Sequence, residues 1–161
     1  MDWDEEPGTT ILQNCTLMDA QTFNIWVENS ADSLQMYNCI VAGGDNIGLA
    51  FEQMSSGNYK GDYNLFHNDS ADRAIVVGYE EEFSLNQFEA WRSYSGQDSH
   101  SISTNSVKEL FVDSDGFDLH LFAASPAVDH GTNTGAPFYD YDGNVRPQGT
   151  TCDIGAFEYS H

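Results

Sequence analysis

A short motif occurs three times in this sequence, and its spacing constrains the fold more than any other feature. Asn14, Asn38 and Asn64 recur at nearly equal intervals, and each is followed by a short apolar run. A period of about 20 to 30 residues that carries short strands is typical of a solenoid, in which each repeat packs on its neighbours. The spacing therefore favours a repeat architecture.

A second repeat supplies strands between these motifs. Ile25, Ile47 and Ile75 lie in similar apolar runs that recur at comparable intervals. Apolar residues alternate around each of them, which indicates half-buried strands, so we expect the three Ile to stack in one inward column. The sequence predicts an all-β fold: a right-handed parallel β-helix solenoid of about three coils, with an irregular C-terminal cap that contains one short helix.

The pattern divides this single domain into three parts. We expect residues 1–8 to be a leader segment, residues 9–79 to form the coils and residues 80–161 to form the cap. The cap blunts the open strand edges that a solenoid leaves at its end. Its helix is predicted between Ser84, as the N-cap, and Gly96, as the stop.

The repeated Asn residues have a structural interpretation. Asn tolerates the left-handed backbone region, and its amide can bond to the Asn of the next coil. We therefore predict that Asn14, Asn38 and Asn64 form a stacked ladder. Cys15 and Cys39 occupy equivalent places in adjacent coils, about 4.8 Å apart. That distance permits a disulfide, and a stacked pair of buried thiols is the alternative.

The charge excludes some classes of partner. The chain has 5 Lys and Arg against 26 Asp and Glu, a formal net charge of −21. Such a surface repels phosphate backbones, so we expect no nucleic-acid partner. No stretch reaches the roughly 18 apolar residues of a membrane-spanning helix, so we expect no membrane insertion.

Several motifs in the second half of the chain follow one another in a fixed order. They are Gly96-Gln97-Asp98-Ser99-His100-Ser101, Leu110-Phe111-Val112-Asp113, Ser125-Pro126-Ala127-Val128-Asp129-His130-Gly131, Asp140-Tyr141-Asp142-Gly143-Asn144-Val145-Arg146-Pro147 and Asp153-Ile154-Gly155-Ala156-Phe157-Glu158-Tyr159. In this order they resemble the C-terminal region of secreted bacterial right-handed parallel β-helix proteins of the pectate-lyase-like superfamily. The resemblance covers roughly residues 60–159. It implies an extracellular or cell-surface location, at the end of a longer protein.

The resemblance and the composition together favour a non-catalytic role. We expect the chain to cap the solenoid and to contact polysaccharide through outward aromatic rings, which stack on sugar rings. The candidate rings are those of Trp26, Tyr37 and Tyr63. An open edge on the first coil also predicts self-association.

The alternative is a polysaccharide lyase or a glycoside hydrolase. Lyases of this fold need a basic residue, and Lys60 and Arg73 are the only cationic residues in the coils. A hydrolase needs two carboxylates that face one sugar, for which Glu52, Asp62 and Asp72 are the candidates in the coils. The lack of a basic cluster favours the non-catalytic interpretation.

Two acidic loops are candidates for binding Ca²⁺. Asp113, Asp115 and Asp118 lie in one loop, and Asp140 and Asp142 lie in the other. Both loops place carboxylates two residues apart beside a Gly, an oxygen-rich arrangement that Ca²⁺ favours. The alternative is an Asx turn, in which each carboxylate accepts hydrogen bonds from nearby backbone amides.

Overall fold

The computed structural model describes residues 8–28, 32–43, 47–54, 57–68 and 73–160. The predicted leader segment lies outside these ranges, apart from Gly8. Strands dominate, and there is one short α-helix. In chain order, the strands are β1 (Thr9–Gln13), β2 (Thr16–Met18), β3 (Phe23–Val27), β4 (Ser33–Tyr37), β5 (Ile40–Gly43), β6 (Ile47–Phe51), β7 (Tyr59–Asp62), β8 (Leu65–Asn68), β9 (Ile75–Val77), β10 (Glu81–Phe83), β11 (Ile102–Thr104), β12 (Phe111–Asp113) and β13 (Asp118–Leu121). The helix α1 spans Phe88–Ser95, and short 3-10 helices span Leu85–Gln87 and Val107–Glu109.

Over the described part of the chain, no helix combines the length and apolar character that a membrane crossing requires.

The first eleven strands form three sheets, in which the first nine strands run parallel to one another within each sheet. The first sheet has the order β1-β4-β7, the second β11-β8-β5-β2 and the third β10-β9-β6-β3. The chain thus passes through the three sheets in the same order three times. Only β10 runs antiparallel to its neighbour in these sheets, while β12 and β13 form a separate antiparallel pair. The prediction of a β-rich protein with parallel sheets and one short helix is confirmed.

The register corrects the predicted aliphatic column in the third sheet. Ile25 lies opposite Leu49, which lies opposite Ile75. Ile47 instead lies opposite Phe23, so the register of the first two passes differs by two positions from the one that the repeated Ile implies. An error of two positions preserves the face of a strand, because side chains alternate with a period of two. The three Ile were therefore predicted on the correct face of their strands, but Leu49 occupies the place in the column that was predicted for Ile47.

The register also corrects the predicted Asn ladder, by one position. Asn14 and Asn38 adopt left-handed backbone angles, with φ of 49° and 53°, and the equivalent left-handed residue in the third pass is Tyr63, with φ of 57°. Tyr37 pairs with Asp62 in the first sheet, so the residues that follow them, Asn38 and Tyr63, occupy equivalent corners. Tyr63 therefore takes the place in the column of Asn14 and Asn38 that was predicted for Asn64, and Asn64 is the next residue along the chain.

The core lies between the three sheets and continues on the outer side of the second. Strands β5 and β8 are buried throughout. Val41 and Phe66 face the cluster between the sheets, whereas Ile40 and Leu65 pack against a second cluster that includes Ile154. The C-terminal segment therefore covers the outer face of the second sheet.

The helix covers the end of the third pass. Ser84 and Gln87 form the capping box of the 3-10 helix that leads into α1, so the N-cap of α1 itself is Gln87 and not the predicted Ser84. Gly96 ends α1 with φ of 66°, as the sequence predicted. The fully buried Trp91 ring contacts the rings of Phe51 and Phe83 at centroid distances of 6.3 and 5.6 Å. Strands β10 and β11 extend two of the sheets, so the sheets continue beyond the boundary predicted at residue 79.

Candidate functional site: an aromatic cleft

The C-terminal segment returns to the corner where the first sheet meets the second. Asn38 donates through Nδ2 to the carbonyl of Thr132 at 2.7 Å and accepts from the amide of Thr132 at 2.8 Å. It also donates to Asn14 Oδ1 at 3.2 Å, and Asn14 donates to the carbonyl of Asp153 at 3.1 Å. The corner Asn side chains therefore hold the C-terminal segment against the sheets, in addition to bonding to each other.

A buried ion pair fixes the shape of this segment. Arg146 and Glu158 form it, with both side chains almost completely buried. Arg146 Nη2 also donates to the carbonyl of Gly155 at 3.0 Å, and Glu158 Oε2 accepts from the amide of Gln148 at 3.0 Å. Each charged group thus satisfies backbone groups that the irregular chain leaves without partners.

A cleft of about 570 Å³ lies between this segment and residues 14–16. Aromatic side chains line much of it. Tyr141 is 81% exposed, Phe117 is 69% exposed and Tyr139 is 56% exposed, while Phe157 is half-buried. Exposed rings gathered around one concavity are a recognised feature of ligand sites.

Contacts from both sides hold the cleft in shape. The rings of Tyr141 and Phe157 meet edge to face, with centroids 5.5 Å apart. The amide of Ala156 donates to Thr16 Oγ1 at 3.0 Å, which ties the C-terminal segment to β2. The cleft therefore has a fixed floor and a partly fixed rim.

An imidazole joins two acidic loops beside the cleft. His120 Nδ1 bonds to Asp118, and its Nε2 lies 2.7 Å from Asp142 Oδ2. Carboxylates at both ring nitrogens favour the imidazolium, which donates from both. The hydrogen bond to Asp118, followed by that to Asp142, raises the pKa of His120, and the same bond lowers the pKa of Asp118. The His120 ring also contacts Phe157, with centroids 4.3 Å apart.

The structure places the predicted calcium ligands in these two loops. Asp140 Oδ1 accepts from the amides of Asp142 and Asn144 at 3.0 and 2.7 Å, and its Oδ2 accepts from Asn144 Nδ2 and from the amide of Glu158. Burial opposes these bonds, but they outweigh it and lower the pKa of Asp140. The bond from the amide of Asp142 is the Asx turn given as the alternative, and calcium at this loop stays a prediction.

The first acidic loop leaves more of its oxygens available. Asp113 Oδ1 accepts from the amide of Gly116 at 3.1 Å, and Asp115 is exposed. Asp118 bonds to His120. Across the described ranges, no three His, Cys, Asp or Glu side chains are arranged as a metal-binding group.

The predicted sugar-binding aromatics do not line the cleft: Trp26 lies on the third sheet, and Tyr37 and Tyr63 lie at the end of the first. Trp26 is 48% exposed on β3, where its ring contacts Phe23 at 4.6 Å. Tyr37, the last residue of β4, is half-buried. Tyr63 follows β7, and its ring stacks on His100 at 4.7 Å with an interplanar angle of 7°.

Two of the described candidates for catalysis, Asp62 and Arg73, contact other ionisable side chains. His100 Nδ1 lies 2.7 Å from Asp62 Oδ2, and Ser99 Oγ contacts the same ring nitrogen at 3.1 Å. A catalytic relay needs the nucleophile and the carboxylate on opposite nitrogens of the ring. Arg73 pairs with Glu82 at 2.9 Å.

The remaining candidates are dispersed. Lys60 and Glu52 are exposed, the first on the first sheet and the second directly after a strand of the third, and Asp72 lies outside the described residues.

Sequence reasoning missed the cleft because it assigned the acidic loops to metal. Phe117 directly precedes Asp118, and Tyr141 lies between Asp140 and Asp142. An aromatic residue inside a tight Asp- and Gly-rich turn has little apolar surface nearby to pack against. That pattern is the signal that would have indicated exposed rings.

Comparison of the chain with protein-family models, with curated proteins and with solved structures finds no match in any of the three.

Proposed function

We propose that this chain is the non-catalytic C-terminal part of a secreted or cell-surface protein, and that it binds a neutral polysaccharide in the aromatic cleft. The proposed architecture is a right-handed parallel β-helix of the pectate-lyase-like kind, capped by residues 80–161. Two observations support this architecture. The chain passes three times through three parallel sheets, and the ordered motifs of its second half resemble the end of such proteins.

The cleft is the observation that carries the binding proposal. Tyr141, Phe117 and Tyr139 expose large rings around one concavity. Sugars present faces of C–H groups that pack on aromatic rings, so a ligand of this kind would cover surface that is otherwise costly to leave in water. The volume of about 570 Å³ lies within the usual range for small-ligand sites, about 300 to 1,000 Å³.

The charge of the molecule restricts which polysaccharide fits. With a net charge of −21, the surface repels polyuronates and sulfated glycans over about a Debye length. Three acidic side chains, those of Asp118, Asp140 and Asp142, lie in the loops that also hold the aromatic residues. A neutral glycan is therefore the class that we propose.

The capping role is supported by the way the third pass ends. Strand β10 pairs with β9 in the antiparallel direction, and helix α1 places Trp91 over the core between the sheets. Both features interrupt the parallel repeat and cover apolar side chains at its end. An end unit of this kind prevents further strands from adding to a solenoid.

Self-association through the opposite end belongs to the same proposal. Among the described residues, β1, β2 and β3 each have a strand on one side only. An unpaired edge offers backbone amides and carbonyls to a further strand. In a longer protein a preceding coil would occupy this edge, and in the isolated chain we propose that a second copy does.

The binding proposal is tested by affinity electrophoresis and calorimetry with a panel of neutral and acidic polysaccharides. Tyr141→Ala and Phe117→Ala should each weaken binding about tenfold, from the loss of one stacking contact. Tyr79→Ala is the matched control, because Tyr79 is 97% exposed and lies outside the cleft. Binding that survives both cleft variants but is lost in Trp26→Ala would move the site to the third sheet.

The enzyme alternative has a separate test. We expect the purified chain to release neither unsaturated nor reducing ends from these polysaccharides. Release that Lys60→Ala or Asp62→Asn abolishes would favour a lyase or a hydrolase instead.

A further inference from the structure

Two thiols lie together at the corner that forms the floor of the cleft. Thr16 of β2 pairs with Ile40 of β5, so Cys15 and Cys39, which precede them, lie in register on neighbouring strands. Both are free thiols, and each donates to the carbonyl two residues before it, Cys15 Sγ to Gln13 at 3.4 Å and Cys39 Sγ to Tyr37 at 3.2 Å. Their Cα atoms are therefore about one strand spacing apart, about 4.8 Å, which lies within the range that a disulfide spans.

The two thiols differ in access. Cys15 is half-buried, packs against the edge of the core between the sheets and lines the cleft, whereas Cys39 is completely buried in that core. The neighbouring Cys39 side chain lowers the pKa of Cys15, the more exposed thiol, whereas the Cys15 side chain and burial raise the pKa of Cys39. One thiol is thus placed to meet a reagent from solvent, and the other lies directly behind it.

We propose that Cys15 and Cys39 form an exchange-active dithiol, in which Cys15 reacts with a low-molecular-weight disulfide from the cleft and Cys39 completes an internal disulfide. The Cys15 thiolate attacks one sulfur of the small disulfide, whose S–S bond breaks to release one thiol. Cys39 then loses its proton and attacks Cys15 Sγ, which releases the second thiol. The two protein thiols are oxidised by two electrons, and the small disulfide is reduced to two thiols.

The position of the pair favours a reversible bond. In-register residues on parallel strands point their side chains in the same direction, so their Cβ atoms remain close to the strand spacing, about 4.8 Å. A relaxed disulfide prefers about 3.8 Å between these atoms, and a bond formed away from that geometry is more easily reduced. This inference does not depend on the glycan, because the reaction needs no ligand in the cleft.

The experiment uses the reduced full chain with oxidised glutathione, followed by acid quenching, alkylation and peptide mass spectrometry. Cleavage at aspartate separates the two thiols, because Asp19 and Asp32 lie between Cys15 and Cys39. We expect a linked pair of peptides that contain Cys15 and Cys39, and we expect excess dithiothreitol to separate them again. Cys39→Ala should instead retain glutathione on Cys15.

Cys152 provides the internal control, because it is a third free thiol and is buried. At pH 7, iodoacetamide should alkylate Cys15 of the unmodified protein at least tenfold faster than Cys152, since the thiolate is the reactive form. Cys152→Ala should leave the Cys15–Cys39 linkage unchanged. Equal alkylation of Cys15 and Cys152, or glutathione that stays on Cys15 while Cys39 is present, would overturn the proposal. Glycan binding is measured separately, so its failure would leave this result intact.

Discussion

At the scale of single residues, the acidic side chains of the motifs act mainly as acceptors for groups of the fold. Asp98 is the fullest example. Its Oδ2 accepts from Tyr59 Oη and Trp91 Nε1, each at 2.8 Å, while its Oδ1 accepts from Ser101 Oγ at 2.6 Å and from Asn64 Nδ2 at 3.2 Å. One buried carboxylate thereby joins the helix, the first sheet and the second. The resemblance highlighted this residue, but only the structure gives it a physical role.

Replacing Asp98 should therefore destabilise the whole molecule. Asp98→Ala leaves the buried donors of Tyr59, Trp91 and Ser101 without this acceptor, while Asn64 Nδ2 keeps the carbonyl of Met36. Each unpaired donor costs about 1 to 3 kcal/mol. We expect a loss of at least about 3 kcal/mol, or roughly 10 °C in Tm for a chain of this size. Glu80→Ala, which removes an exposed carboxylate, should change Tm by less than about 2 °C. Equal effects of the two variants in thermal melts would contradict this role.

His120 makes a prediction about pH. The pKa of His120 is raised in the folded state above the ordinary 6.5. The contribution of His120 to the stability of the fold is therefore complete below pH 6.5 and is lost as the pH rises through the pKa of the folded state. The pKa of Asp118 is lowered below 3.8 in the folded state. The contribution of Asp118 to the stability of the fold is therefore present above pH 3.8 and is lost as the pH falls through the pKa of the folded state. The ion pairs therefore stabilise the fold most between about pH 4 and 6.5.

The corresponding variant is His120→Gln. We expect it to lower Tm by roughly 1 to 3 °C at pH 5.5, the range for exposed ion pairs, and by less at pH 9. His130→Gln is the control, because His130 is exposed and its Nδ1 contacts the carbonyl of Val128. A decrease for His120→Gln that is the same at both pH values would indicate a packing effect on Phe157 instead.

At the scale of elements, the sequence predicted the strands better than their alignment. The existence of the repeats, the inward phase of Ile25 and Ile75, and the helix between Ser84 and Gly96 all followed from periodicity and capping residues. The register did not, because the offset between successive passes is not constant, and similar dipeptides suggested other alignments. The exposure of the rings at Phe117 and Tyr141 could have been predicted from their Asp- and Gly-rich turns, but the cleft that they line could not, since it depends on where the irregular C-terminal segment packs.

The corner at Asn38 tests what holds that segment in place. Asn38 combines a left-handed backbone with side-chain bonds to Asn14 and Thr132. Asn38→Ala should cost about 3 kcal/mol, from left-handed strain of about 1 kcal/mol and from the loss of buried hydrogen bonds. Asn105→Ala, at an exposed position, is the control for denaturant unfolding. A cost below about 1 kcal/mol would show that the segment is held by its own contacts.

Calcium remains a prediction for both acidic loops, and we test it first at the loop of Asp113, Asp115 and Asp118. A ligand that binds only the folded state stabilises it by about 2.7 kcal/mol at a hundredfold excess over Kd. We expect a modest rise in Tm with millimolar Ca²⁺ over chelator at matched ionic strength, and its loss in Asp115→Ala. An unchanged Tm would contradict the prediction of a calcium site and favour the interpretation of the loop as an Asx turn.

At the scale of the whole molecule, charge and the open strand edges act in opposite directions. A net charge of −21 keeps copies apart, whereas the free edges of β1, β2 and β3 among the described residues favour pairing with another copy. Salt shortens the range of the repulsion, from about 30 Å at 0.01 M to about 3 Å at 1 M. It leaves backbone hydrogen bonds largely unaffected, so ionic strength should decide which effect prevails.

We therefore expect the chain to be monomeric at low ionic strength and to form dimers with rising concentration in about 0.5 M salt, because screening removes most of the repulsion. Light scattering coupled to size exclusion measures both states. Ile11→Lys places a charge on β1, where Ile11 is 62% exposed, and should reduce dimer formation because charged residues protect strand edges. Val112→Lys adds the same charge at a residue that is 56% exposed on β12, away from this edge, and should not reduce it. A monomer at all salt concentrations would mean that the edge is not available to a second copy, and equal effects of both variants would assign the association to charge alone.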